Sequence, residues 1–322
     1  MNLLITSAGR RVSLVKAFQK ELKNRYPGNL VYAADASPYL SAACQVADDF
    51  IKVPKVTEKD YVSSIIEQCN KLGISIVIPT IDTELEVLAR NVDILTDAGI
   101  LPVVSSLEFI EKCRNKRKIH DFFSERGIYV ANEYDKSDYK LPLFIKPLDG
   151  SRSMENYIIR DPKELRDFHF SNDKLMFLQY LDHNEFEEFT CDLYYDRTNR
   201  LRCVVPRKRI EVRSGEVNKG LTVNNELVSI IREKLNVIHG AIGCLTSQFF
   251  LHKESGMVYG IEINARFGGG FPLTYLSGAN YPAWIIEEYL MGKNIEDQFD
   301  CWEQDLLMIR YDAEVLVHGY KD

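Results

Sequence analysis

The chain has 322 residues, 45% of them hydrophobic, enough for a substantial core and for two or three domains of typical size. Its net charge of −7, with no basic tract, argues against non-specific binding to nucleic acid or to an anionic membrane surface. The N-terminus has no leader pattern, and no stretch approaches the roughly 20 apolar residues of a membrane helix, so a soluble, cytoplasmic protein is expected.

Residues 1–110 alternate apolar runs with helical periodicity. Leu3-Leu4-Ile5 reads as a strand, and Val12, Val15, Phe18 and Leu22 then recur at helical spacing. Residues 30–34 form a second strand ending at Asp35. Val62, Ile65, Ile66, Cys69 and Leu72 mark a helix face closed by Gly73, and residues 74–78 form a further strand. This βαβ order predicts a Rossmann-like parallel sheet covered by helices. The first strand-to-helix turn, Thr6-Ser-Ala-Gly-Arg10-Arg11, lacks a GxGxxG pattern, which weakens a dinucleotide reading. It still sets two arginines at the sheet's carboxyl edge, either as a polar-substrate contact or as a solvated turn.

An α+β region follows. One helix is expected to carry Leu107, Ile110, Ile119, Phe122 and Phe123. Strands are expected near 143–146, 156–159, 175–180, 188–195, 201–212, 244–251 and 257–264, with helices near 226–239 and 282–291. Seven scattered cysteines without a CxxC, and six histidines without an HxH or HxxxH pair, argue against a disulfide frame and against a histidine or cysteine metal site.

The richest segment is Gly260-Ile-Glu262-Ile-Asn264-Ala-Arg266-Phe-Gly-Gly-Gly270, with Gln248 upstream. Gln248, Glu262 and Asn264 supply hard oxygen donors of the kind Mg²⁺ prefers. On a strand, Glu262, Asn264 and Arg266 share a face, which sets a cation beside those donors, where a phosphoryl group needs neutralising. Leu143-Phe-Ile-Lys146-Pro147 delivers a lysine into the small polar loop Gly150-Ser151-Arg152-Ser153, either a phosphate cradle or an ordinary hairpin. Gln179 to Leu181 could offer backbone groups to a base edge and Glu188 could take ribose hydroxyls, although residues 188, 190 and 192 equally suit the polar face of a half-buried sheet. Alternation puts Arg207, Arg209, Glu211 and Arg213 on one face, either solvated or gripping an acyl phosphate or carboxylate. Lys116 stands in a charged helical run, which by itself reads as solvated surface.

In this order and spacing, the segments resemble the ATP-grasp superfamily, and more closely its carbamoyl-phosphate-synthetase-like, single-module carboxylate–amine ligases. The resemblance covers nearly the whole chain, and Glu262 to Gly270 with Gln248 is its most specific part. It implies an α/β architecture: an N-terminal domain over 1–110, a two-subdomain ATP-grasp domain over 111–300 with its lid near 115–180, and a C-terminal strand extension over 301–322. It also implies roles. Lys116 and Lys146 would contact the nucleotide phosphates beneath a covering loop containing Gly150, Ser151 and Ser153. Gln179 and Leu181 would meet adenine, and Glu188 the ribose. Gln248, Glu262 and Asn264 would hold Mg²⁺, or Mn²⁺ in its place. Arg266, Arg213 and Arg207 would serve catalysis.

The implied activity is ATP-dependent amide formation from a small carboxylate and an amine through an acyl phosphate, releasing ADP and phosphate. Phosphorylation of carbamate or bicarbonate is the alternative within enzymes, and a non-catalytic nucleotide-binding or assembly protein is the alternative outside them. The resemblance also admits a homodimer.

Overall fold

The computed structural model describes residues 1–149, 155–213 and 216–320. The sequence first builds a parallel sheet from β1 (Asn2–Ile5), β2 (Val31–Asp35), β3 (Asp49–Lys52), β4 (Ile74–Ile78) and β5 (Leu101–Pro102), in the order β3-β2-β1-β4-β5. Its helices include α1 (Val12–Arg25), α2 (Ala42–Val46), α3 (Tyr61–Leu72), α4 (Asp82–Arg90) and α5 (Val92–Asp97). Gly73 closes α3 in the left-handed conformation, φ 62°, which a residue without Cβ adopts without strain. The strands are apolar because both sheet faces are covered. Leu3 and Ile5 enter one hydrophobic cluster and Leu4 another.

Two further helices, α6 (Leu107–Arg114) and α7 (Lys116–Ser124), replace the single helix expected from periodicity. The break falls at Asn115, whose side chain accepts the backbone N–H groups of Arg117 and Lys118 and so starts a new helix. A four-stranded antiparallel sheet follows, ordered β6-β9-β7-β8, from β6 (Glu133–Tyr134), β7 (Leu143–Pro147), β8 (Tyr157–Ile159) and β9 (Leu175–Gln179), with α8 (Asp167–Ser171) before β9.

The largest sheet has six strands: β10 (Phe186–Tyr195), β11 (Leu201–Arg213), β12 (Glu216–Thr222), β13 (Gly243–His252), β14 (Val258–Asn264) and β15 (Leu307–Ile309), ordered β14-β13-β10-β11-β12-β15. Helices α9 (Glu226–Lys234), α10 (Phe271–Leu276) and α11 (Tyr281–Met291) complete it. α11 has Pro282 in its first turn and ends at Gly292, φ 62°. Both large hydrophobic clusters run from the parallel sheet into this sheet. One joins Leu4 and Val77 to Phe189, Leu245 and Phe249; the other joins Leu3 and Phe18 to Tyr194, Phe267 and Trp284. Among the described residues, no helix is long and apolar enough to cross a membrane.

Candidate active site

A cleft of about 1290 Å³ opens where three structures meet: the four-stranded sheet, the six-stranded sheet and the carboxyl edge of the parallel sheet. β7 delivers Lys146 to it and α7 delivers Lys116 and His120. Lys146 is 6% exposed and Lys116 8%. Burial, reinforced by the like charge of Lys116, pushes the Lys146 ammonium down to about 8, against the pull of Glu262. Burial also lowers Lys116. Two desolvated ammonium groups held together suit a polyanion, which would restore both to full charge.

β13 and β14 bring the oxygen donors opposite. Gln248 pairs in register with Glu262, and Thr246 with Asn264. The Asn264 amide donates to Glu262 Oε1 at 3.0 Å. One carboxylate and two amide carbonyls fit a hard cation that brings most of its oxygen ligands with it, as Mg²⁺ on a nucleotide does. Among the described residues, no group of three or more His, Cys, Asp or Glu side chains could hold a metal ion without such help.

Beyond Asn264, Arg266 faces the same cleft, its guanidinium fixed by Asp82 at the start of α4. Nε and Nη2 each donate to a different Asp82 oxygen at 2.8 Å. Arg207 is 1% exposed and grips Asp192 through Nε at 2.9 Å and Nη2 at 3.0 Å. Thr246 and Thr274 also donate to that carboxylate, so the buried negative charge is fully engaged. Arg207 Nη1 has no hydrogen-bond partner, leaving one donor unspent beside the cleft.

The glycines of the run line the cleft, and the chain's own side chains occupy the space a Cβ would fill. A Cβ on Gly268 would meet Thr246 at 2.8 Å, one on Gly269 would meet the Glu216 carboxylate at 2.6 Å, and one on Gly270 would strike Arg207 Nη1. The glycines therefore let the loop close onto these three side chains.

Gln179, Leu181 and Glu188 line the cleft as expected, although Glu188 is already ion-paired with Arg209 at 2.6 Å. Gly150, Ser151 and Ser153 lie outside the described residues. Arg213 departs from expectation. The β11–β12 register slips between Arg209 and Glu211 and again before Val212, and such bulges reset which side chains face which way. Ile210 and Val212 line the cleft instead, and Arg213, 68% exposed, pairs with Asp312 at 2.9 Å. Arg207, Arg209, Glu211 and Arg213 thus do not share one face.

Sequence reasoning gave no role to His120, Asp82 or Asp192. His120 lies one helical turn after Lys116, a signal that Lys116 would have supplied had it been trusted. It is 6% exposed and its Nε2 has no partner. Burial, then Lys146 and Lys116, push it down to about 4, so the imidazole is neutral. Asp35, noted at the end of β2, is not among the residues lining the cleft: it accepts the backbone N–H of Gly9 at 3.1 Å and of Ser37 at 3.0 Å, pinning the β1–α1 turn.

Residues 3–104 match the family described as PylC-like, N-terminal domain, and residues 171–308 match that of ATP-grasp in the biosynthetic pathway with Ter operon. The chain has an ATP-grasp fold. Solved structures agree on the fold. The biotin carboxylase domain of Hydrogenobacter thermophilus 2-oxoglutarate carboxylase, in complex with MgADP, ADP and bicarbonate, superposes with TM-score 0.70 at 14% identity. That match covers 95% of this ATP-grasp chain and 73% of the other. Rhizobium etli pyruvate carboxylase gives TM-score 0.70 at 14% identity over 95% of this chain, which spans 30% of that much longer one. An L-amino acid ligase from Bacillus licheniformis gives 0.63 at 19% identity, covering 90% of this chain and 74% of that one. A search of curated protein sequences finds no match.

Proposed function

We propose that this ATP-grasp chain is an ATP-dependent carboxylate–amine ligase that forms an amide through an acyl phosphate and releases ADP and phosphate. One observation carries the reading: two buried lysines face Glu262, Asn264 and Gln248 across a single cleft, with the Asp82-fixed Arg266 at its side. The similar carboxylase structure solved with MgADP, ADP and bicarbonate, and the similar L-amino acid ligase, support it.

A carboxylate is a poor electrophile toward an amine. Transfer of the γ-phosphoryl group from ATP to a carboxylate oxygen breaks the bond to the ADP oxygen and gives an acyl phosphate. The amine nitrogen then attacks the acyl carbon, phosphate departs, and the nitrogen loses a proton. In this reading Lys116 and Lys146 bind the phosphates, Gln179 and Leu181 border the base, and Glu188 the ribose. Arg266 faces the transferred group, and the spare Nη1 donor of Arg207 suits an oxygen of the acyl phosphate. Gln248, Glu262 and Asn264 would hold Mg²⁺, which supplies charge neutralisation on the β- and γ-phosphates when bound. Positioning and electrostatics carry the chemistry, so no nucleophilic side chain is required. All seven cysteines are free thiols, which suits a reducing, cytoplasmic setting.

The test is ADP and phosphate release from Mg-ATP with pools of amino acids, peptides and sugar acids, with and without amine donors. Release that needs one acid and one amine supports the ligase, and Glu262→Ala should abolish it while the protein stays folded. Full turnover in that variant would remove Glu262 from the site. Acid-independent release with label from bicarbonate entering the product would favour carbamate or bicarbonate phosphorylation. Nucleotide binding with no turnover in any pool would favour a non-catalytic role.

A further inference from the structure

At the end of the cleft bounded by the β1–α1 turn, charge is out of balance. Among the described residues lining this end, four guanidinium groups, those of Arg10, Arg11, Arg266 and Arg310, share two carboxylates, Asp82 and Glu216. Both carboxylates are already taken. Asp82 holds Arg266, and Glu216 accepts from Arg310 Nη1 at 3.1 Å. Among the described residues, no carboxylate pairs with Arg10 or Arg11. Arg11 is partly buried, and burial followed by the charge of Arg266 holds its guanidinium below the ordinary value, against the pull of Glu216 and Asp82. Glu216 and Asp82 act on Arg11 without a direct ion pair, so its partly buried charge is only partly compensated.

The turn that carries Arg10 and Arg11 is rigid. Asp35 clamps the Gly9 N–H, Thr80 Oγ donates to the Ser7 carbonyl at 2.8 Å, Ser41 Oγ donates to the Gly9 carbonyl at 2.9 Å, and Arg11 N–H donates to the Ala8 carbonyl at 2.8 Å. With the backbone pinned, only the two arginine side chains have freedom to lose when they meet a ligand. Arg11 lines the cleft with Arg266, whose charge acts on it and which faces the group transferred to the carboxylate. An anion on Arg11 would therefore sit within one small molecule's reach of that carboxylate.

We propose that Arg11, with Arg10 beside it, forms a subsite for a second anionic group on the acid substrate, so that the acceptor is a dianion carrying either a second carboxylate or a phosphate. This rests on the ligase reading of the same cleft. A lone carboxylate would engage Arg266 and leave Arg11 unmatched; a second anion satisfies Arg11 without displacing Asp82 or Glu216.

The test is calorimetric, on the full chain with Mg²⁺ and a non-hydrolysable ATP analogue. Malonate, succinate, glutarate and glutamate are each compared with their neutral-ended amides, and O-phosphoserine with serine. The anion-bearing member of at least one pair should bind about tenfold or more tighter, the equivalent of one charge-assisted contact. The carboxylate and phosphate pairs separate the two sources of the charge. Arg11→Gln should bring that ratio toward one, and Arg11→Lys should keep part of it. Equal binding within every pair, or a ratio that survives Arg11→Gln in a folded variant, overturns the proposal. Arg11-dependent binding with no ADP release under any amine leaves the subsite standing and removes the ligase reading instead.

Discussion

Two buried side chains in the cleft make opposite demands. Lys146 is depressed by burial and by Lys116, and an anion bound beside it would restore its charge. Lys146→Ala should weaken nucleotide binding by about 2–3 kcal/mol, the scale of one charge-assisted contact, as read by calorimetry. Unchanged affinity would remove Lys146 from the phosphate site. His120 is depressed to about 4 by burial and by Lys146 and Lys116, below the usual 6.5. Between those two values the unfolded chain binds more protons than the folded one, so stability rises with pH and is lost as pH falls. Moving from pH 7 to pH 5 should cost the wild type about 2 kcal/mol through this group alone. His120→Phe should lack that share in urea unfolding at the two pH values; parallel losses in both proteins would mean the imidazole charges freely in the fold. At this scale the sequence was legible wherever one strand face carried the chemistry, as with Glu262, Asn264 and Arg266. It offered Asp192 only as part of a polar sheet face, whereas the residue is fully buried with partners Thr246, Thr274 and Arg207 from three separate elements.

Among the elements, strand–helix contact sets how far the lysines stand from the oxygen donors. β14 crosses α7 so closely that a Cβ on Gly260 would strike the Phe123 ring. Gly260→Ala should therefore destabilise the protein by about 1–3 kcal/mol through overpacking. Because α7 also carries Lys116 and β14 carries Glu262, nucleotide affinity should fall with it. A thermal melt and a nucleotide titration on the same variant check both; loss of stability with unchanged affinity would mean that α7 yields without moving Lys116. The strands were readable because apolar alternation specifies them, and residues 143–146 and 244–251 fall almost where expected. Features set by local hydrogen bonding escaped. The Asn115 cap divides one periodic pattern into α6 and α7, and the bulges in β11 turn Arg213 outward after Arg209 faces in. Helix α9 ends at Lys234, not near 239.

Across the molecule, the parallel sheet and the six-stranded sheet share their cores. Phe18 of α1 meets Phe267 edge-on at 5.9 Å, and Arg25 bonds Glu287 at 2.6 Å across the same junction. Hydrophobic clusters that cross a junction couple its two sides, so thermal unfolding followed by far- and near-ultraviolet dichroism should give coincident transitions. Separated transitions would mean the halves melt apart. Alternating βαβ order made the first half predictable and the Glu262 to Gly270 segment made the second predictable. Their mutual docking rests on pairs such as Asp82 and Arg266, 184 residues apart, which no local pattern reveals.

That same pair constrains anyone who would rebuild this protein. The arginine comes from one half of the molecule and the group that aims it from the other. Asp82→Asn should lower turnover about ten- to a hundredfold while leaving the affinity for ATP nearly as it was. A chimera that borrows a foreign N-terminal half to accept a new acid would inherit that defect unless the donor supplies an acidic residue at the same spot. Interchangeable parts, in this architecture, must be exchanged together with the hand that steadies Arg266.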